Sequence, residues 1–178
     1  MASNGAASAF VLPAPLISQG FGLRPETGDD LPFLQALYAS TRAEELAPVA
    51  WSDEQKWLFL EQQFRAQRHH YKTYLADSRF DVLECAGAPV GRLYLSDKQT
   101  QVYIVDIALL PAWRGKGVGS AILEALKSAC GARGLGVGIM VEKFNPALQL
   151  YRRLDFSEVA DHGVYLEMEW VPATPAVN

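Results

Sequence analysis

The tightest constraint on this chain lies between residues 102 and 141. Val102 to Leu110 runs almost wholly apolar, Pro111 stops it, and Trp113-Arg-Gly-Lys-Gly-Val-Gly119 leads into an amphipathic segment. There Ile122, Ala125, Leu126 and Ala129 recur at the spacing of one helical face. Gly131 and Gly134 end that helix, and residues 137–141 read as the next strand. A strand, helix and strand in that order require a crossover and therefore a parallel pair. The first strand carries one charge, Asp106, and is otherwise suited to a central position covered on both faces.

The turn within this unit has its own chemistry. Gly115, Gly117 and Gly119 leave backbone N–H groups unobstructed where a helix begins, and Arg114 and Lys116 add positive charge at the positive end of its dipole. This is an anion cradle, suited to a phosphate. It is not a P-loop, because Lys116 is followed by Gly117 rather than Ser or Thr. Nor is it a dinucleotide fingerprint, which needs GxGxxG early in a βαβ unit.

The remaining chain reads as one α/β domain over residues 21–171, with a mobile tail over 1–20 and a second tail over 172–178. Strands are expected at 21–25, 80–85, 90–95, 156–160 and 165–170. Helices are expected from Asp29 or Asp30 to Arg42, from Ser52 or Asp53 to about residue 70, and from Asn145 to Leu154. In the second, Trp57, Leu60 and Phe64 share one face. A chain of 178 residues that is 49% hydrophobic can bury one sizeable core.

A net charge of −4 argues against a general nucleic-acid binder. Cys85 and Cys130 suggest neither a disulfide framework nor a metal knuckle. His69, His70 and His162 lack metal-ligand spacing, so no metal is expected. No stretch approaches the roughly 20 apolar residues needed to span a bilayer. No membrane partner is therefore expected, and the cytoplasm is the simplest setting.

Arg114-x-x-Gly117-x-Gly119, between an apolar strand and an amphipathic helix, resembles the acyl-coenzyme-A signature of the GNAT superfamily of N-acetyltransferases. A second stretch, Asn145-Pro-Ala-Leu-Gln-Leu-Tyr-Arg-Arg-Leu-Asp-Phe156, is similar to that family's Asn-x-x-Ala-x-x-Leu-Tyr-x-x-x-Gly-Phe. Asn145 stands one residue closer to Tyr151 than in that pattern, and Asp155 replaces its glycine. The resemblance implies a GNAT-like α/β fold: a mixed, mostly antiparallel sheet, flanked by helices, with a parallel pair at the cofactor site. It implies acetyl-CoA as co-substrate, its pyrophosphate on Arg114, Gly115, Lys116, Gly117, Val118 and Gly119. Its pantetheine arm would pair near Ala108, Leu109 and Leu110, with Asn145 bonding the arm unless it is only a helix cap.

The implied reaction moves an acetyl group directly to a primary amine, as in enzymes acting on small molecules. A free alkylammonium has a pKa near about 10.4, so something must take its proton. Developing negative charge on the thioester oxygen needs donors, and the leaving sulfur needs a proton. Tyr151 matches the family's tyrosine and is the candidate acid; packing is the alternative.

Asp106 is the candidate base or acceptor anchor, since a carboxylate in an apolar strand is costly unless paired or facing a polar cavity. Alternation puts it on the face of Ile104 and Ala108; a purely structural carboxylate remains the other reading. Glu142, Tyr94 and Glu45 are candidates for the acceptor wall. Tyr103 stands where some protein-acetylating members carry glutamate. A non-catalytic acyl-CoA sensor and a protein N-terminal or lysine acetyltransferase are the competing functions, and a homodimer is among the assemblies allowed.

Overall fold

The computed structural model describes residues 5–173. Two short helices, α1 (Ala6–Ala9) and α2 (Ala14–Ser18), precede β1 (Phe21–Pro25). The helices α3 (Leu31–Leu46) and α4 (Asp53–Tyr74) lead to the meander β2 (Arg79–Cys85), β3 (Ala88–Asp97) and β4 (Gln101–Leu109). After β4 come α5 (Val118–Gly131), β5 (Gly136–Glu142), α6 (Leu148–Arg153), β6 (Ser157–His162) and β7 (Tyr165–Trp170). The strands form one seven-stranded sheet in the order β1-β2-β3-β4-β5-β7-β6. Only β4 and β5 run parallel, joined through α5 as the crossover demands.

The apolar alternation of the strands divides the interior between two faces. The larger cluster gathers Leu93, Leu95, Val102 and Ile104 from the sheet with Ile122, Leu123 and Leu126 of α5 and Tyr151 of α6. On the other face a smaller cluster joins Leu34 and Tyr38 of α3 to Phe64 of α4. Ser52 starts α4 with a reciprocal cap: its hydroxyl accepts from the Gln55 amide at 3.2 Å, and its own amide donates to the Gln55 side chain at 2.9 Å.

Three expectations change. The segment read as a mobile tail is docked from Gly5 onward, with Phe10, Leu12 and Leu16 buried in the main core. Arg79 clamps it by donating to the carbonyl of Phe10 at 2.6 Å, and Asp97 accepts from the Ala7 amide at 2.9 Å. Of the expected C-terminal tail, Pro172 and Ala173 are irregular and residues 174–178 lie outside the described residues.

The helix α3 continues past Arg42 to Leu46. Trp57, expected on the apolar face of α4, is 54% exposed, because α4 meets the sheet only through its later turns, where Phe64 is buried and Tyr71 packs edge-on against Tyr94.

The third change concerns β4. Tyr94 pairs with Asp106 but the next residue, Leu95, pairs with Ile104, so Val105 is an extra residue, a β-bulge. Past the bulge the alternation is reset. Ile104 points into the main core at 1% exposure, whereas Asp106 lies on the α4 face with Tyr94 and Ala108. The expectation that Asp106 and Ile104 share a face therefore fails for a local reason.

Candidate active site

β4 and β5 stay paired only from Gln101 with Gly136 to Ile104 with Ile139. Beyond the bulge they part, and β5 continues to Glu142 against β7 alone. The β5-facing edge of β4 over residues 105–109, which includes Ala108 and Leu109, is therefore left without a strand partner. Leu110 next to it is tied the other way, its amide donating to Val90 at 2.8 Å. An open strand edge of this kind can take an extended ligand by strand-like hydrogen bonding.

At the end of that edge the glycine turn holds its shape by two left-handed residues, Gly115 with φ 68° and Gly117 with φ 82°. Nothing lies within 4 Å of where a Cβ would stand on either, so the backbone there is approachable. Among the described residues, no acceptor is found for the amides of residues 115–120, the first intrahelical bond of this turn being Ala121 to Gly117 at 2.9 Å. These free amides at the start of the fourteen-residue helix α5 fit a pyrophosphate. Arg114 lies alongside, donating to the Leu109 carbonyl at 2.8 Å and to Ser40 of α3 at 2.9 Å. Lys116 sits 5.5 Å from the centroid of the Trp113 ring.

Tyr151 of α6 belongs to the main core cluster. Its ring is buried and packs edge-on against Phe156 at 5.5 Å. Among the described residues its hydroxyl has no hydrogen-bond partner. Burial, and secondarily the charge of Asp106, push the Tyr151 hydroxyl well above the ordinary tyrosine range. It stays protonated at any physiological pH, as a proton donor must.

Residues 76–158 match the family model described as the acetyltransferase (GNAT) domain. Over that stretch the chain is similar to a GNAT acetyltransferase. The split between β4 and β5 lies inside the matched stretch.

Solved acetyltransferase structures share the fold at low identity. The PaiA N-acetyltransferase of Thermoplasma acidophilum, solved with coenzyme A, is 18% identical with a TM-score of 0.63, over 85% of this chain and 98% of that one. An acetyltransferase of Thermus thermophilus is 21% identical with a TM-score of 0.60, over 85% and 96%. The ribosomal-protein-S18-alanine N-acetyltransferase of Escherichia coli is 17% identical with a TM-score of 0.56, over 89% and 99%. No curated protein is a significant sequence match to the chain.

On the α4 face of the sheet, a groove of about 270 Å³ straddles the split, with Val105 on one lip and Met140 on the other. Four rings line it: His70 and Tyr71 of α4, Tyr103 of β4 and Tyr165 of β7. Asp106 is not one of the lining residues. Its Oδ2 accepts from Arg92 Nη2 at 2.7 Å and from the Tyr71 hydroxyl at 3.0 Å. Arg92 is buried and also donates to Gln67 at 3.0 Å. Tyr71 thus stands between Asp106 and the groove. Its hydroxyl is held protonated by burial and by the Asp106 charge.

Of the other expected acceptor residues, Glu142 and Glu45 are brought together and Tyr94 is not. Glu142 and Glu45 share Arg42, which donates to Glu142 at 3.1 Å and pairs with Glu45 at 3.1 Å, while Tyr165 donates to Glu142 at 3.3 Å. Tyr94, expected at the acceptor wall, is instead core: it is 2% exposed and its hydroxyl donates to Glu26, which Arg68 and Lys72 also hold. Asn145 accepts from the Ala147 amide at 2.9 Å and so closes the turn before α6, which starts only at Leu148. This leaves its side-chain NH₂ as the outward donor.

Burial pushes the Cys130 thiol up to about 11, which removes it as a thiolate nucleophile. Among the described residues no group of three or more His, Cys, Asp or Glu is placed to hold a metal ion, and no helix is long and apolar enough to cross a membrane.

Sequence reasoning did not single out Tyr71 or Arg92. Arg92 carried a signal: it is a lone cation in an otherwise apolar strand, next to the strand whose lone anion is Asp106. Tyr71 had no such mark, being one ring among several along α4.

Proposed function

We propose that this protein transfers an acetyl group from acetyl-CoA directly to the primary amine of a small molecule. The observation that carries the reading is the parting of β4 from β5 at Val105, with the amide cradle and open strand edge at one end and the ring-lined groove on the α4 face. Coenzyme A supplies an activated thioester. The residues that would hold it are Arg114 to Gly119 at the pyrophosphate, the edge of Ala108 and Leu109 along the arm, and the Asn145 amide. The open N–H groups of that edge face the place where negative charge develops.

The acceptor side follows from the same geometry. An N–C bond forms as the C–S bond breaks, and the nitrogen gives up its protons to solvent through the groove. Tyr151 donates its proton to the departing sulfur and is reprotonated from solvent, so the products are an amide and a free thiol. Asp106 acts behind Tyr71, fixing the direction of that hydroxyl rather than meeting the amine itself.

The test is thiol release from acetyl-CoA in the presence of amines, with Tyr151→Phe beside the parent. The variant should lose about 100-fold in turnover, the lower range for a general acid, while coenzyme A affinity is unchanged. Normal turnover in the variant removes Tyr151 from the chemistry. Tight coenzyme A binding with no acceptor among small amines and peptides would support a sensor instead.

A further inference from the structure

The walls of the groove say what kind of amine it takes. Tyr103 comes from one side of the split and Tyr165 from the other strand system, with Tyr71 and His70 above them on α4. Among the described residues no Asp, Glu, Lys or Arg side chain lines it. The carboxylates around it have partners of their own: Asp106 the Arg92 guanidinium, Glu167 a hydrogen bond with His162 at 2.9 Å, and Glu142 and Glu45 the same Arg42. Two carboxylates against one guanidinium leave one negative charge in excess at this rim.

A polyamine or an aminoglycoside carries several ammonium groups, each of which must find a partner on leaving water. The groove has none to give beyond that one. A single ammonium on a flat apolar body is complementary instead. The rings accept its body by stacking and its charge by cation–π attraction, and the Tyr71 oxygen, its own proton engaged by Asp106 at 3.0 Å, is free to accept a hydrogen bond from the nitrogen. The volume, about 270 Å³, is below the roughly 300–1,000 Å³ of drug-sized sites, which suits one ring on a short linker.

We propose that the acceptor is a monocationic primary amine on a compact aromatic body, its ring between Tyr103 and Tyr165 and its nitrogen at the Tyr71 hydroxyl. This rests on the acetyl-transfer reading above.

The experiment measures thiol release by the full chain with acetyl-CoA and four acceptors: 2-phenylethylamine, tryptamine, spermidine and an alanine-initiated peptide. The expected result is a kcat/KM at least about tenfold higher for the two aryl amines, the size of one cation–π contact with its stacking. Tyr103→Leu keeps apolar bulk but removes a ring, and should erase that preference through KM. Should it unfold, as its melting curve would show, Tyr165→Leu at the exposed rim asks the same question.

Preference for spermidine or the peptide overturns this inference and leaves acetyl transfer standing. A preference for aryl amines that survives loss of both rings overturns the assignment to the groove. Thiol release with no acceptor at all overturns both readings.

Discussion

Replacing Asp106 by Asn isolates the electrostatics beneath the groove. The Arg92 side chain is 4% exposed and that of Asp106 14%, so the pair is shielded from water, and one carboxylate oxygen takes both the guanidinium and the Tyr71 hydroxyl. Asn keeps an acceptor oxygen but removes the charge, leaving a buried guanidinium without a counter-ion. Removing one partner of a buried pair costs about 3–5 kcal/mol, and the retained oxygen and partial exposure favour the lower figure, about 3 kcal/mol.

For a domain of this size each kcal/mol moves the melting temperature by about 2–4 °C, so a drop of roughly 6–12 °C is expected by circular dichroism. Arg92→Met and the double variant complete the cycle, and the double variant should cost less than the sum of the singles by more than about 1 kcal/mol. An Asp106→Asn protein within about 0.5 kcal/mol of the parent in urea titrations, or a cycle that is additive, refutes the reasoning.

Other expectations follow from single features. Phe10→Ala should cost about 3 kcal/mol in urea unfolding, since the ring is 2% exposed in the main core; a loss under about 1 kcal/mol would mean that the N-terminal helices are not docked in solution. Gly117→Ala should cost about 1–2 kcal/mol through its positive φ, with no clash, and should weaken coenzyme A binding measured by calorimetry; unchanged affinity would remove the turn from the cofactor site.

Acid stability should depend on Asp30, which the forked bonds from Arg24 at 2.7 and 2.8 Å hold well below the ordinary carboxylate range against the opposing effect of burial. Its folded pKa lies below its unfolded one, so its contribution is complete above about pH 4 and drains away as pH falls further. Asp30→Asn should flatten the loss of stability between pH 5 and about pH 2, and an unchanged slope would refute this.

The parts of the fold that local sequence dictates were legible in it. Pro111, the three glycines of the turn and the i, i+3, i+4 spacing of Ile122, Ala125 and Leu126 specify strand, turn and helix with no knowledge of their surroundings. The features that depend on distant partners were not. A bulge at Val105 leaves no mark in the run Ile-Val-Asp-Ile, because inserting one apolar residue into an apolar strand changes neither composition nor propensity.

Tyr94 reads as a candidate for the acceptor wall until Glu26, 68 residues earlier, is seen to accept a hydrogen bond from its hydroxyl. The first twenty residues look polar-poor and unpatterned, yet Phe10, Leu12 and Leu16 reach the core because two very short helices separated by Pro13 turn them all inward. Trp57 illustrates the converse: correct helical spacing says which face is apolar, not how far along the helix the sheet extends.

The extra residue at Val105 amounts to a frame change within a strand. Upstream of it, even-numbered side chains enter the main core; downstream, even-numbered side chains leave it for the α4 side, and the neighbouring strand departs at the same point. The two sides of the strand thus exchange their sets of side chains by a single unit of chain length. It follows that β4 should tolerate many exchanges of side chain at this point but not a change in its count. Removing Val105 would restore the ladder, with Ile104 and Asp106 successive partners of Leu95 and Tyr94, and would take away the irregularity at which β5 parts from β4.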